Sequence, residues 1–186
     1  MMRLPRSQPA RDRILSAAKT VFAREGYDRA TIRLIAEEAL VNPAIIIRYY
    51  GSKENLFATA TPLNFKGEAL LSVPRDKIGE ALVAHVLGRW EDTITGEELT
   101  GLLRASLSHE GARERIVEVF EDQVRRLIGA LKPVGDVSAV APLIATQMLG
   151  LAFSRYVLLI PSVVNLSAEN VIRDMGAIVQ RLMDKG

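Results

Sequence analysis

Residues 41–57, with the sequence VNPAIIIRYYGSKENLF, restrict the fold of this chain more than any other segment. Three consecutive isoleucines suit a buried strand. The Asn42-Pro43 pair before them is instead a helix start, because a capping side chain precedes a proline at the first helical position. Gly51 ends such a helix after about two turns. Ser52 then caps another helix, so the segment predicts two short helices and no strand.

A helix over residues 43–50 divides the isoleucines between two faces. Ile46 and Tyr50 are four positions apart and are expected to face inward. The residues predicted to face outward are Ala44, Ile45, Arg48 and Tyr49. This outer face combines a cation, a phenol and small or branched apolar side chains, and an ordinary core helix does not have that combination.

A second short helix precedes this one. Thr31 is the predicted N-cap of residues 32–39, and only two or three residues separate that helix from Asn42. Two short helices joined by a tight turn, the second of them basic, form a helix-turn-helix pattern. In this motif the second helix enters the major groove of DNA with its N-terminal residues nearest the base edges.

Each predicted outer side chain has a chemical use on DNA. Arg48 can donate two hydrogen bonds to guanine, and Ile45 can pack on a thymine methyl group. Tyr49 can reach a phosphate or a base edge, while Thr31 and Lys53, each at a helix start, can hold phosphate. Any one of these residues is equally well an ordinary surface residue. The predicted DNA-binding set is Thr31, Arg33, Asn42, Pro43, Ala44, Ile45, Arg48, Tyr49 and Lys53.

The charge distribution agrees with a polyanion partner for the N-terminal part. Residues 1–60 hold ten lysines and arginines against six aspartates and glutamates, net +4, whereas residues 61–186 hold fourteen against sixteen, net −2. A basic head suits double-stranded DNA, although ordinary scatter of charges is the alternative. We predict a flexible basic tail at 1–10, a helix-turn-helix domain at 11–57 and a helical regulatory and dimerisation domain at 58–186.

Enzyme chemistry has little support in the sequence. Cysteine is absent, and the two histidines, His85 and His109, lie 24 positions apart. No acid–base pair, nucleophile or metal cluster is visible, so we expect no catalytic residues, no cofactor and no metal. An enzyme would have to depend on groups that only the fold brings together, such as His85 or Glu91.

The apolar pattern is helical throughout, without a period-two strand or an internal repeat, which predicts an all-α fold. Residues 137–154 form an uncharged run long enough to raise the question of a membrane span. Pro142 and Gln147 dilute the run and Arg155 follows it, so a buried helix ending before Pro161 is preferred. The basic, proline-rich N-terminus lacks the apolar stretch of a secretory signal. We therefore expect a cytoplasmic protein without a membrane partner.

This apolar helix also suggests a homodimer. Two pairs of small residues four apart, Ala141 with Ala145 and Gly150 with Ser154, allow a partner helix to approach closely. We predict a four-helix homodimer interface through residues 137–160 and 168–185. An intramolecular core helix is the alternative.

A pocket for an apolar small-molecule effector is predicted among the helices of the C-terminal part. Methionine and aromatic side chains at helical spacing are more often plain core, and this alternative stays open. The predicted ligand-binding residues are His85, Arg89, Trp90, Phe120, Gln147, Met148, Phe153 and Arg155.

The segment ILSAAKTVFAREGYDRATIRLIAEEALVNPAIIIRYYGSKENLF resembles the N-terminal DNA-binding domain of TetR-family transcriptional repressors along its whole length. The matching features include the Ile-Leu-x-Ala-Ala-x-x-x-Phe helix, the Gly-Tyr pair after it and the Ser-Lys-Glu triplet. The resemblance implies a homodimer with three N-terminal DNA-binding helices and a body that often holds a small-molecule pocket. It places phosphate contacts on Thr31 and Lys53. Base reading would fall on Ala44, Ile45, Arg48 and Tyr49.

Two positions depart from the family pattern. Leu40 stands in the turn where glycine is usual, so a strained or reshaped turn is expected. Ile47 stands where the family often has a phosphate-binding tyrosine, and Tyr49 is expected to take part of that role. The sequence as a whole predicts a homodimeric repressor of a palindromic operator, released by an effector. The alternatives are a helical interaction or membrane-surface protein without DNA readout and, less favoured, an enzyme.

Overall fold

Every regular element is helical in the part of the chain that the computed structural model describes, and this confirms the all-α class. The described residues are 8–60, 65–108, 110–132 and 135–185. His109 lies outside them, and so do residues 1–7 of the tail that was predicted at 1–10. The first helix begins within that predicted tail, at Gln8.

The chain divides into two compact units. The first contains residues 1–63 and 97–116, and the second contains residues 64–96 and 117–186. Residues 97–116, which the sequence placed in the regulatory part, thus pack in the first unit. The boundary between residues 57 and 58 stays a prediction.

The first unit is built around one apolar core. Its fully buried side chains come from every helix of the unit and include Ile14, Ile35, Ile46, Phe57 and Leu102. The elements are α1 (Gln8–Arg29), α2 (Ile32–Ala39), α3 (Pro43–Tyr50), α4 (Lys53–Ala60), and the parts of α6 (Thr93–Ser106) and α7 (Glu110–Glu118) that fall within this unit.

The second unit combines long helices with shorter turns. Two 3-10 turns, Glu68–Ser72 and Arg75–Lys77, precede the helix α5. Its other elements are α5 (Ile78–Glu91), a π-helical turn (Val119–Val124), α8 (Arg125–Leu131), α9 (Val137–Ala152), a second π-helical turn (Phe153–Val157), α10 (Pro161–Val164) and α11 (Ala168–Asp184).

Helices α5 and α11 touch through their backbones. A Cβ atom added to Gly79 would lie 2.2 Å from the carbonyl oxygen of Gly176, and one added to Gly176 would lie 2.9 Å from Cα of Glu80. Only glycine permits this approach. The Gln180 side chain closes the contact, since its Oε1 accepts from the Gly79 N–H at 2.9 Å and its Nε2 donates to the Arg75 carbonyl at 3.0 Å.

Three predicted helix ends are corrected. The sequence Thr95-Gly96-Glu97-Glu98 predicts a capping box that opens a helix at Thr95. This prediction is wrong, because α6 begins at Thr93 and Asp92 Oδ1 accepts from the Thr95 N–H at 2.8 Å. Gly26 is the predicted left-handed end of the first helix. It has a positive φ of 72°, but helix continues beyond this kink to Arg29. Pro161 begins α10, since the preceding helix has already ended four residues earlier.

The segment Val137–Val157 is long and apolar enough to cross a membrane by length and composition, with a mean hydropathy of 1.6, and 33% of it is buried within the chain. The core helix of a soluble protein passes the same test. Ala141 and Ala145 are buried in the second unit, so this pair does not face outward as expected. Gly150 is exposed on another side of the helix.

Lys132 is a buried charged residue that the sequence placed only in a break between helices. Its side chain is 2% exposed. The Nζ atom donates to the Met183 carbonyl at 2.8 Å and also to the Lys185 carbonyl. These carbonyls lie at the end of α11, where backbone acceptors have no partners within the helix. Lys132 therefore acts as a C-terminal cap from another helix.

Replacing Lys132 with methionine should lower the free energy of unfolding by about 1–3 kcal/mol, because apolar length is kept while the two carbonyls lose a charged donor. Urea unfolding monitored by circular dichroism measures this. Lys185→Met, on the exposed neighbouring lysine, is the control and should change stability by less than about 0.5 kcal/mol. Equal urea midpoints for Lys132→Met and the wild type would contradict the capping role.

Candidate nucleic-acid interface

The start of α2 has the expected cap. Thr31 is extended, with φ −126° and ψ 152°, and its Oγ1 accepts from the Leu34 N–H at 3.1 Å. Arg33 points into solvent and pairs with Glu37 at 3.3 Å, in an exposed ion pair that contributes little to stability. The N–H groups of this first turn and the positive end of the helix dipole favour an anion such as phosphate.

The start of α3 is also capped as predicted. Asn42 Oδ1 accepts from the Ala44 N–H at 2.9 Å, and Pro43 occupies the first turn. All three of these residues are exposed, while Ile46 behind them is fully buried. The N-terminal end of α3 is therefore open to a partner, and its direction is set by the core.

The outer face of α3 differs from the predicted one by a rotation. Ile45 and Tyr49 are half-buried against the core of the first unit, whereas Ile47 is 45% exposed. Residues four apart share a helix face, so Ile45 and Tyr49 flank the buried Ile46 on one side. The expectation that Ile45 faces outward is thus wrong. The exposed face carries Ala44, Ile47 and Arg48.

Tyr49 lies beside two arginines. The guanidinium carbons of Arg11 and Arg48 are each 5.1 Å from the Tyr49 ring centroid, and Arg48 Nη2 donates to the Tyr49 hydroxyl at 3.4 Å. Among the described residues, no carboxylate forms an ion pair with either arginine. This positive pair is available to phosphate.

Arg11 is a candidate site residue that sequence reasoning missed. It is 38 positions from Tyr49, at the first residue of the predicted helix-turn-helix domain, and the predicted DNA-binding set did not include it. The fold joins the two regions, because the Tyr50 hydroxyl donates to the Arg11 carbonyl at 3.3 Å. Only the basic character of the N-terminal segment could have suggested its role.

Lys53, at the start of α4, is held by its neighbours. Its Nζ lies 4.3 Å from the ring centroid of Tyr27 and 3.5 Å from the Asp28 carbonyl oxygen. Burial lowers the pKa of the Lys53 ammonium, and the charges of Glu54 and Asp28 oppose this shift. The Lys53 residue is half-buried.

The turn between α2 and α3 has the shape that glycine usually provides. Leu40 is left-handed, with φ 54° and ψ 47°. The Val41 N–H donates to the Ala36 carbonyl at 3.0 Å and the Leu40 N–H to the Glu37 carbonyl at 3.2 Å, which is the Schellman pattern. The Leu40 side chain is 86% exposed. The turn is therefore strained at one residue but not reshaped.

The predicted ligand-binding residues all fall in the second unit. There, His85 lies against the backbone of Phe65. His85 Nε2 is 2.7 Å from the Phe65 carbonyl oxygen, and Gln123 Oε1 accepts from the Phe65 N–H at 2.6 Å. Gln123 and the predicted Phe120 lie on the first π-helical turn. Such turns occur frequently at functional sites.

Trp90 and Arg155 belong to another cluster of this unit. Trp90 stacks on Tyr156 with centroids 5.3 Å apart, and the Tyr156 hydroxyl donates to Glu91 at 3.2 Å. Burial, followed by the charge of Glu91, raises the pKa of Tyr156 to about 12. Arg155 donates to the carbonyls of Val163 and Leu166, both at 2.9 Å. Its guanidinium thus holds the chain after α10.

The other predicted ligand-binding residues are distributed around the same unit. Met148 is 8% exposed and is a core residue, while Arg89, Gln147 and Phe153 are half-buried. Within the described ranges, no three acidic or histidine side chains are grouped so that they could bind a metal ion.

Two family models match the sequence. Residues 14–60 match the model described as bacterial regulatory proteins of the tetR family, and residues 76–183 match the tetracyclin repressor-like C-terminal domain. The HTH-type transcriptional repressor NicS of Pseudomonas putida is 28% identical over 137 residues, which is 72% of this chain and 65% of NicS. The chain spans 54–65% of the length of such curated relatives.

Solved structures share the fold. A TetR-family regulator from Streptomyces coelicolor A3 is 31% identical to this chain and superposes with a TM-score of 0.61. The match includes 98% of this chain and 99% of the regulator's chain. The multidrug binding protein EbrR, solved with imidazole, is 20% identical with a TM-score of 0.62, covering 92% of this chain and 93% of its own.

Substituting Leu40 tests the strained turn. Leu40→Gly should raise the free energy of unfolding by about 0.5–1 kcal/mol, because the left-handed penalty exceeds the added freedom of glycine in the unfolded chain. Leu40→Val should lower it by about 1 kcal/mol, since branched side chains tolerate this conformation poorly. Thermal unfolding gives both values, and the same sign for both variants would contradict the strain.

Proposed function

Since the chain belongs to the TetR family, we propose that it is a sequence-specific DNA-binding transcriptional regulator acting as a homodimeric repressor in the cytoplasm. The observation that carries this proposal is the exposed face of α3. That face combines a cation and apolar groups at a capped, outward helix start, and a second arginine lies beside it.

The proposed roles follow from exposure and chemistry. Arg48 donates to guanine, while Ala44 and Ile47 pack on thymine methyl groups in the major groove. Asn42 and Pro43 set the start of the recognition helix, and Ile45 anchors it from its inner side. Phosphate contacts are assigned to Thr31, Arg33, Tyr49 and Lys53. We add Arg11 to them because its guanidinium lies beside the Tyr49 ring.

Dimerisation through α9 and α11 is proposed because α9 has an apolar exposed face. Ala139, Leu143, Thr146 and Gly150 follow one another at spacings of four, three and four and are all exposed. A Cβ atom on Gly150 would have no neighbour within 4 Å, and Ile178 on α11 is 36% exposed. A second copy would cover this face, with segments 137–160 and 168–185 meeting their equivalents.

Release by a small apolar effector is proposed for the second unit. The unit offers aromatic side chains with a few polar groups, and Phe120 and Phe153 lie on its π-helical turns. His85, Arg89 and Gln147 are the proposed polar contacts, with Trp90 and Met148 as apolar lining. Arg155 is assigned a supporting role, because its donors already hold backbone carbonyls. An effector that prefers a different separation of the two DNA-binding heads lowers DNA affinity.

Selection of bound duplexes from a random pool at near-physiological salt tests the DNA function. The wild type should recover an inverted repeat with half-sites one helical turn apart. Arg48→Ala should relax one position in each half-site and weaken binding by about 1–3 kcal/mol. Arg75→Ala, at an exposed arginine of the second 3-10 turn, is the control and should leave the selected sequence unchanged. Recovery of no shared sequence from the folded protein would refute specific readout.

Charge placed on the α9 face should separate the dimer. Leu143→Glu combined with Ile178→Glu should give monomers in light scattering, because unpaired carboxylates would be buried at the interface. Leu107→Glu changes a leucine that is 70% exposed in the first unit, and this control should remain dimeric. A wild type that needs detergent to stay in solution would instead favour the membrane-surface alternative.

A further inference from the structure

Tyr27 is the centre of a cluster in the first unit that the roles above do not use. Its ring centroid is 4.3 Å from Lys53 Nζ, and its hydroxyl donates to Glu54 Oε1 at 2.9 Å. These partners are the first two residues of α4. One tyrosine at the end of α1 thus contacts the helix start that is assigned to phosphate.

The Tyr27 ring is itself fixed on several sides. It packs on Phe57 with centroids 4.8 Å apart and stacks on Phe22 at 6.3 Å. Helix α6 closes the remaining side, since a Cβ atom on Gly101 would lie 2.9 Å from Tyr27 Cβ. Burial, followed by the hydrogen bond to Glu54, raises the pKa of Tyr27 well above its usual range. The hydroxyl therefore stays protonated and keeps donating.

A rigid aromatic face beside a lysine restricts where the ammonium can go. Lysine has a long side chain with many rotamers, and ordering it on binding weakens the complex. An ammonium over a ring face is attracted to the ring, more strongly when water is partly excluded. The second restraint on Lys53, its contact with the Asp28 carbonyl at 3.5 Å, acts from the same end of α1.

We propose that Tyr27 is a positioning residue for DNA binding: its ring orders the Lys53 ammonium for a phosphate, and Gly101 of α6 sets the position of the ring. This role rests on the proposed DNA function. The sequence GY at positions 26 and 27 is part of the family resemblance, but there it carried no assigned role.

The first test needs no DNA. Lysines of the full-length protein are dimethylated with a carbon-13 label, which keeps their charge, and the Lys53 signal is assigned with Lys53→Gln. A methyl group over an aromatic face resonates upfield, so the Lys53 signal should lie upfield in the wild type and in Tyr27→Phe. The shift should be lost in Tyr27→Leu. An unshifted wild-type signal would overturn the proposal.

The second test is a double-mutant cycle on the selected operator at several salt concentrations. Tyr27→Leu should weaken binding about fivefold. In the Lys53→Gln background, which reduces the salt slope by about 0.9, Tyr27→Leu should change affinity by less than about twofold. A purely structural Tyr27 would weaken binding equally in both backgrounds, and that additive result would overturn the proposal.

Matched variants separate this role from folding and from the DNA function itself. Tyr27→Phe keeps the ring and should bind DNA within about twofold of the wild type. Gly101→Ala displaces the ring without removing it, and should weaken binding only when Lys53 is present. It replaces Tyr27→Leu if that variant does not fold. If the wild type selects no DNA sequence, the proposed DNA function is refuted. If it selects a sequence but the effects of the Tyr27 and Lys53 substitutions are additive, only the positioning role is refuted.

Discussion

The short helices of the first unit depend on one shared apolar core. Helices α2, α3 and α4 each have eight residues, and isolated helices of that length are not stable in water. Each therefore needs a cap at its start and buried side chains on one face. The core supplies the second requirement, with α1 packed against α2 and α4 and with parts of α6 and α7 completing it. The side chains that α3 exposes to solvent follow from this packing, because the buried Ile46 sets the rotation of α3.

That constraint also explains where strain and charge are found. The turn between α2 and α3 must be tight, so Leu40 takes a left-handed conformation and its side chain stays in solvent. Arg11 lies on α1 and Arg48 lies on α3, and the fold brings both beside the ring of Tyr49. The core thus fixes the helices that carry these cations, and for the proposed DNA binding this reduces the entropy lost on association.

The second unit is ordered by contacts of another kind. Helices α5 and α11 meet at glycines, Lys132 caps the end of α11, and Arg155 holds the chain after α10. These contacts order the unit from within, yet α9 keeps an apolar exposed face. A surface of that kind is expected to be covered, and a second copy with the same face is the simplest cover. Dimerisation would also double the DNA sequence that is read.

The sequence by itself determined the helical class, the caps at Thr31 and Asn42 and the family resemblance, because each depends on residues that are close along the chain. It left open whether the turn at Leu40 is strained or reshaped. It placed Lys53 at a helix start, but not beside Tyr27. Only the tertiary structure decided that Ile45 turns inward and Ile47 outward, that Arg11 joins Tyr49, and that Lys132 is buried. Those outcomes depend on contacts between residues distant along the chain, and a local pattern carries no information about which distant side chain will occupy the remaining space.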